Sequence, residues 1–256
     1  AILREDLAWT EPLSEALNLH LWNWGITVNQ TIAFPVGSTE ANFNTYWNQI
    51  ESAGVQLTIP IVSGPDAITM AQTYRNIKPK CLLAGINVLS QLDTYWDDTE
   101  GACQYEILMQ AVHRTDKTSL TIPFWDSFVS TYNINPLYTG IGSYDAVRLL
   151  VIASDSINSF NSDDIVSELE GFNKSNPFIG VGGYISFTNS HDLLAGYPYT
   201  YTLFCQWQLD GNKVVVPSYV TSPNPGYYPS SLATGSISVP YWGINNLVAA
   251  QNLPED

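Results

Sequence analysis

Apolar positions in the first part of the chain follow two alternating periods. Residues 55–62 form a short, apolar, β-branched run of the kind found in buried strands. Residues 9–24 and 43–53 instead carry apolar side chains at helical spacing, and each of these segments ends at a glycine. Strands that alternate with helices of about a dozen residues predict an α/β fold, with a parallel sheet covered by helices on both faces.

The same two periods predict elements along the rest of the chain. Further strands are expected at 26–34, 81–84, 105–112 and 178–187, and further helices at 66–76, 89–96, 120–132, 138–157 and 163–172, the last with Ser162 as its cap. Two segments separated by Asp210-Gly211, 199–209 and 213–217, are predicted to pair as a hairpin. From Ser218 onward the chain is rich in Pro, Tyr and Ser and predicts an irregular surface wrap.

The segment 138–157 is apolar around most of its helical circumference. Only Asp145, Arg148 and Asp155 form a narrow polar stripe. A helix of this kind is predicted to be interior and covered by other layers on several sides. Gly140 and Gly142 at its start allow the preceding loop to approach a neighbour closely.

Charge and composition narrow the function classes. The net charge is −15 with only nine Lys and Arg, which excludes a nucleic-acid partner held through phosphates. The neutral polar surface that this composition implies favours an acidic extracellular setting. No run approaches the roughly 18 apolar residues of a membrane span. The chain does not begin with Met, and we expect that upstream sequence has been removed.

Catalytic and metal-binding motifs are absent from the sequence. The three cysteines have no CxxC spacing and no nearby histidine ligands, so neither a metal site nor a cofactor is predicted. No nucleophile elbow, dinucleotide-binding or P-loop motif occurs. Acidic pairs at 5–6, 97–98 and 163–164 leave open a second class, a secreted acidic glycoside hydrolase. Such pairs more often cap helices or solvate the surface.

Six segments in order resemble type I periplasmic solute-binding proteins of the branched-chain amino acid or amide class. These segments are LREDLAWT at 3–10, IVSGPD at 61–66, LLAGIN at 82–87, NPLYTG with SYDAV between 135 and 147, GVGGYISF at 180–187 and QWQLDG at 206–211. By this resemblance we expect the chain to start where the second lobe of that family starts, without the N-terminal part of lobe 1. The resemblance implies a near-complete lobe 2 at 1–117, a returning part of lobe 1 at 118–198, and crossing strands with the C-terminal wrap at 199–256.

The resemblance also implies a function. A protein of this kind is the extracellular or periplasmic component of an ABC-type importer, and it captures a small polar or amino-acid-like solute between two hinged lobes. Its partners are the solute and the transporter permease, and it meets the membrane only through an anchor outside this chain. A receptor ectodomain of the same fold remains an alternative.

Four ligand-binding residues are carried over from the family. Trp9, Ser63 and Asn87 each follow a predicted strand and are expected at the carboxyl edge of the sheet, where α/β proteins bind ligands. Trp9 would supply an aromatic wall, and Ser63 and Asn87 hydrogen bonds. A neutral Asn87, where amino-acid binders often carry a carboxylate, leaves amides and other polar solutes open. Tyr138 would contact the ligand from the other lobe. Packing of Trp9, and turn or capping roles for Ser63 and Asn87, are the competing interpretations.

The predicted strand order also bears on the cysteines. Cys81 opens the fourth strand and Cys103 lies just before the fifth. Direct pairing of these strands would bring the two residues within disulfide range, and an extracellular location would favour the bond. Cys205 is expected to remain a buried thiol.

Overall fold

A computed structural model of the chain describes residues 1–218 and 227–245. The strands are β1 (Ile2–Glu5), β2 (Thr31–Phe34), β3 (Leu57–Val62), β4 (Leu82–Asn87), β5 (Ile107–Gln110), β6 (Phe178–Ile179), β7 (Tyr184–Ile185), β8 (Leu203–Trp207) and β9 (Lys213–Val215). The helices are α1 (Thr10–His20), α2 (Glu40–Ser52), α3 (Asp66–Ile77), α4 (Tyr95–Asp98), α5 (Thr121–Tyr132), α6 (Tyr138–Ile157) and α7 (Ser162–Leu169). Among the described residues, no helix has both the length and the apolar character needed to cross a membrane.

Seven strands form one sheet in the order β2-β1-β3-β4-β5-β8-β9. Strands β1 to β5 pair in parallel, and the register places Val62 of β3 beside Asn87 of β4. Strands β8 and β9 are neighbours, as the hairpin prediction requires. The predicted α/β class, a mostly parallel sheet flanked by helices, is confirmed.

The core on one side of this sheet is aromatic and aliphatic. Phe34, Phe43 and Trp47 are fully buried, and the indole Nε1 of Trp47 donates to the hydroxyl of Thr73 at 2.9 Å. Tyr74 donates its hydroxyl to the carbonyl of Cys81 at 2.7 Å. These contacts tie α2 and α3 to each other and to the amino end of β4, so both helices are fixed against the sheet.

The described chain divides into two compact units. Of the described residues, the first unit comprises 1–109, 205–214 and 237–245, and the second comprises 110–204, 215–218 and 227–236. The resemblance predicts boundaries after 117 and 198, with 199–256 as strands crossing back to lobe 2 and the C-terminal wrap, whereas the described residues 215–218 and 227–236 group with the second unit. Residues 219–226 and 246–256 of the predicted C-terminal wrap lie outside the described residues.

Several predicted elements differ in length from the observed ones. The strand predicted at 26–34 covers only Thr31–Phe34, because the left-handed Gly25 is followed by an extended loop. The helix predicted at 89–96 is a single 3₁₀ turn at Leu89–Gln91 and the short α4. Helix α7 is capped by Asn161, whose side chain accepts from two backbone N–H groups, and not by Ser162.

Helix α6 has the predicted bounds but not the predicted burial. Ile141, Asp145, Leu149 and Ala153 are buried along one stripe. Val147, by contrast, is 60% exposed. In the described part of the second unit, the only sheet is the two-stranded β6–β7 pair. That layer is too small to cover a helix of 20 residues on several sides, so the prediction of an interior helix is wrong for this chain.

Candidate functional site

The candidate site is the carboxyl edge of the sheet in the first unit. Because β1, β3 and β4 are parallel neighbours, their carboxyl ends meet at one edge. Trp9, Ser63 and Asn87 follow or end these strands, so the sequence places all three near that edge. Their side chains have different surroundings.

Trp9 is the accessible aromatic residue of this edge. It immediately precedes α1, and its side chain is 38% exposed. The turn before it is held by Thr10, whose hydroxyl lies 2.6 Å from the carbonyl oxygen of Glu5. Trp9 makes no ring contact with another aromatic residue of the described chain. An indole on a fixed turn with one side open is available to a ligand.

Ser63 is turned toward a buried carboxylate. Its hydroxyl donates to Oε2 of Glu5 at 2.8 Å, and the backbone N–H of Gly64 donates to Oε1 at 2.7 Å. Glu5 itself is fully buried. A Cβ on Gly64 would lie only 3.0 Å from Oε1, so glycine allows this close approach. The Ser63 oxygen keeps a free lone pair as acceptor, but its proton is held by Glu5.

Sequence reasoning missed the role of Glu5. It treats Glu5 and Asp6 as an acidic pair at the surface. The Glu5 carboxylate instead accepts hydrogen bonds from Ser63 and Gly64 in the turn between β3 and α3. Alternation along β1 gives no signal for Glu5, since Ile2 on the opposite face is buried like Leu3 on the same face. Both residues are fully buried.

Asn87 points into the protein. It is 1% exposed, and its amide nitrogen donates to the hydroxyl of Tyr95 at 2.9 Å and to Oε1 of Glu106 at 2.7 Å. Its amide oxygen accepts from the backbone N–H of Ser90 at 3.2 Å. Burial raises the pKa of Glu106 to about 7, against the opposing effect of these hydrogen bonds. The Asn87 side chain therefore stabilises the carboxyl edge through internal hydrogen bonds. A direct contact between Asn87 and a ligand remains a proposal.

Tyr138 belongs to the second unit. It is the first residue of α6 and is 46% exposed. About two helical turns further on, the carboxylate of Asp145 accepts from the backbone N–H groups of Val181 and Gly182 at 2.8 and 2.9 Å. The glycine-rich segment 180–187 is therefore fixed to α6 by a buried charge, a contact that the sequence motif does not disclose.

The predicted bond between Cys81 and Cys103 is not formed, and both residues are free and buried. The Sγ of Cys81 lies 3.3 Å from the hydroxyl of Thr58. Thr58 belongs to β3, on the opposite side of β4 from β5. The thiol of Cys81 is thus directed away from the strand that follows Cys103. Cys205 is a buried free thiol, as predicted.

Two of the three acidic pairs, at 5–6 and 163–164, have surroundings typical of structural or surface carboxylates. Glu5 is buried while Asp6 is 68% exposed. Asp163 and Asp164 occupy the first turn of α7, where their backbone N–H groups donate to Asn161. In the described residues, no three His, Cys, Asp or Glu side chains converge as metal ligands.

Comparison with known protein families identifies the class. The model of the family described as periplasmic binding protein matches residues 1–199. The chain belongs to this family, which confirms the resemblance seen in the sequence. The family implies a periplasmic or extracellular location. Comparison with curated proteins gives no match.

Solved structures show the same fold. A branched-chain amino acid ABC transporter protein from Rhodospirillum rubrum has a TM-score of 0.69 at 16% identity, covering 84% of this chain and 59% of that one. The branched-chain amino acid binding protein of Streptococcus pneumoniae, in complex with isoleucine, has a TM-score of 0.62 at 14% identity, with coverages of 83% and 57%. A solute-binding protein from R. palustris, in complex with benzoate, has a TM-score of 0.64 at 14% identity, with coverages of 84% and 56%. The chain therefore spans less than three-fifths of the length of these structures.

Proposed function

We propose that this chain is part of the solute-binding component of an ABC-type importer and that it performs no catalysis. The observation that carries the proposal is the family match over residues 1–199, which includes the whole carboxyl edge with Trp9, Ser63 and Asn87. The edge presents the exposed indole of Trp9 beside turns that are held by internal hydrogen bonds. This arrangement favours ligand binding over catalysis. The opposite surroundings of Glu5 and Asp6, and the position of Asp163 and Asp164 at the start of α7, favour binding over the glycoside hydrolase alternative.

The ligand is proposed to be a small solute with an apolar or aromatic part. At this edge the carboxylate of Glu5 and the amide of Asn87 are saturated by internal partners. Trp9 is the side chain that remains open. Related structures hold either isoleucine or benzoate, so both an amino-acid side chain and an aromatic ring are compatible with the fold. Tyr138 is proposed as a further contact from the second unit.

The permease and a membrane anchor outside this chain are the proposed partners. Hinge closure around the solute would shift the protein toward the form that the permease recognises. A sensor ectodomain would use the same binding step, and a flanking membrane-spanning segment with a signalling domain would distinguish it.

The test is native mass spectrometry of the complete polypeptide, purified without denaturation, to detect a retained small molecule. A thermal-shift panel of amino acids, their amides and aromatic carboxylates then identifies the class. Ligand-induced stabilisation without turnover supports the proposal. Hydrolysis of a glycan panel, with no stabilisation by any solute, would refute it.

A further inference from the structure

A buried polar cluster lies beneath the candidate edge in the first unit. Its centre is the carboxyl group of Glu106, just before β5, which is 1% exposed. Asn87 donates one amide proton to Glu106 Oε1 and the other to the Tyr95 hydroxyl. Tyr95 lies on α4 and is also 1% exposed. The cluster thus joins β4, β5 and α4.

The hydrogen bonds of Tyr95 reveal the protonation state of Glu106. The Tyr95 hydroxyl has one proton but two acceptors within reach, the carbonyl oxygen of Ala67 at 3.0 Å and Oε2 of Glu106 at 3.3 Å. If Glu106 is ionised, one of these oxygens receives no proton from Tyr95. If Oε2 carries a proton, Glu106 donates to the Tyr95 oxygen and Tyr95 donates to Ala67, so each contact is a hydrogen bond. The geometry therefore favours a neutral Glu106.

The surrounding titratable groups come from every neighbouring element. Tyr74 of α3 and Cys103 of the turn before β5 are buried, and burial raises the pKa of both, that of Cys103 to about 12. The ammonium group of Lys213 on β9 favours the ionised form of Glu106. Burial, however, lowers the pKa of Lys213. The Nζ of Lys213 donates to the carbonyl oxygen of Gln91 at 2.8 Å. The Ser90 side chain also hydrogen-bonds Glu106. The negative charge of Asp93 opposes the effect of burial on the pKa of Lys213.

We propose that Glu106, Tyr95 and Asn87 form a proton-operated switch that couples the first turn of α3 to the end of β4. With Glu106 protonated, Tyr95 binds Ala67, in the first turn of α3 that directly follows the Ser63 turn. When Glu106 ionises, the Tyr95 proton turns to Oε2 and Ala67 loses this contact. The edge is then held less firmly at the two turns that carry Ser63 and Asn87. This inference does not depend on which solute binds.

The pH window follows from the direction of the pKa change. The pKa of Glu106 is near 7 in the folded chain and 4.5 when unperturbed. Because the folded value is raised, the stabilisation is fully present below about pH 4.5 and is lost as the pH rises through about 7.

The first experiment is an infrared pH titration of the 256-residue chain. We expect the carbonyl stretch of a protonated carboxyl group to disappear around pH 7 in the unmodified chain and to be missing in Glu106→Gln. The exposed Glu15→Gln change on α1 is the matched control and leaves the band in place. A chain without this band at pH 5 holds an ionised Glu106, which overturns the proposal.

The second experiment follows amide hydrogen exchange in the first turn of α3, corrected for intrinsic rates. Exchange should accelerate between pH 6 and 8 in the unmodified chain and in Glu15→Gln, and stay flat in Glu106→Gln. If Glu106→Gln does not fold, Tyr95→Phe provides the test, because it removes the relaying hydroxyl while the carboxyl band persists. A titrating carboxyl band with unchanged exchange in α3 would show that the coupling does not exist.

Discussion

Glu5 and Asp6 are adjacent carboxylates with opposite surroundings. Glu5 is fully buried at the end of β1 and accepts from Ser63 and Gly64, while Asp6 is exposed and forms a 3.6 Å ion pair with Arg4. A buried carboxylate with two short hydrogen bonds contributes far more than an exposed ion pair. At the scale of single residues, side-chain direction decides which carboxylate organises the site.

Replacement of Glu5 by Gln should destabilise the fold. Gln presents an amide nitrogen to one of the two donors, Ser63 or Gly64, and so breaks at least one charge-assisted hydrogen bond. We expect a loss of about 2–3 kcal/mol in the free energy of unfolding, measured by urea denaturation. Asp6→Asn should change it by less than about 0.5 kcal/mol. Equal effects of the two substitutions would contradict the assigned role.

Trp9→Ala should affect ligand binding more than stability. The indole is over one-third exposed and stacks on no described aromatic residue, so little packing is lost. If Trp9 forms a wall of the site, affinity in the complete binding protein should fall by about 1–3 kcal/mol, measured by calorimetry with the identified solute. A variant with a lowered melting temperature and unchanged affinity for the solute would show that Trp9 is a packing residue.

The three cysteines should be unreactive in the folded chain. All are buried thiols, and burial raises the pKa of Cys81 to about 11 and of Cys103 to about 12. Alkylation at pH 8 should label none of them before unfolding and all of them in denaturant. Peptide mapping without reduction provides the check, since a linked 81–103 peptide would reinstate the disulfide.

Helix α6 shows how one buried charge fixes an element. Asp145 is the polar residue within its buried stripe, and it accepts from two consecutive backbone N–H groups in the glycine-rich segment. Gly180 leaves room for this carboxylate, since a Cβ on Gly180 would lie 2.7 Å from Oδ2 of Asp145. At the scale of elements, the motif at 180–187 and the helix form one structural unit.

Asp145→Asn should therefore loosen segment 180–187. The amide offers one acceptor where two N–H groups need partners, and its nitrogen faces a donor. We expect a loss of about 1–3 kcal/mol in unfolding free energy and faster exchange of the Val181 and Gly182 amides. Asp155→Asn on the same helix is exposed and serves as the control. Unchanged protection of both amides would contradict this role.

The whole molecule leaves apolar surface open on α6. Val147, Leu150 and Val151 are 60%, 50% and 55% exposed and lie within little more than one helical turn. The related structures are longer, and the chain covers at most 59% of those compared above. Contiguous apolar surface of this kind marks a contact face. We propose that a polypeptide supplying the remaining part of the fold covers it.

The isolated 256-residue chain should associate through this face and bind its solute weakly. A binding site formed by one lobe leaves its hydrogen bonds to the solute in competition with water, and each such hydrogen bond then contributes only about 0.5–1.5 kcal/mol. Analytical ultracentrifugation should show concentration-dependent association that Val147→Ser with Val151→Ser reduces. Leu193→Ser, at a half-exposed site outside α6 in the segment after β7, is the control. A monomeric chain that binds as tightly as the two-lobed protein would refute the assignment of a missing part.

Periodicity alone determined the α/β class, the order of the elements and the bounds of α6, because backbone hydrogen bonding and apolar spacing are local properties. The order of six short motifs was enough to indicate the family. Burial depends on what packs against each element, so the exposure of α6, the direction of the Cys81 thiol and the saturation of Asn87 were decided only by the tertiary structure. The same holds for Glu5 and Glu106, whose partners lie 58 residues away in sequence at Ser63 and 19 residues away at Asn87. No local pattern records contacts at such separations, and these contacts set the chemistry of the candidate site.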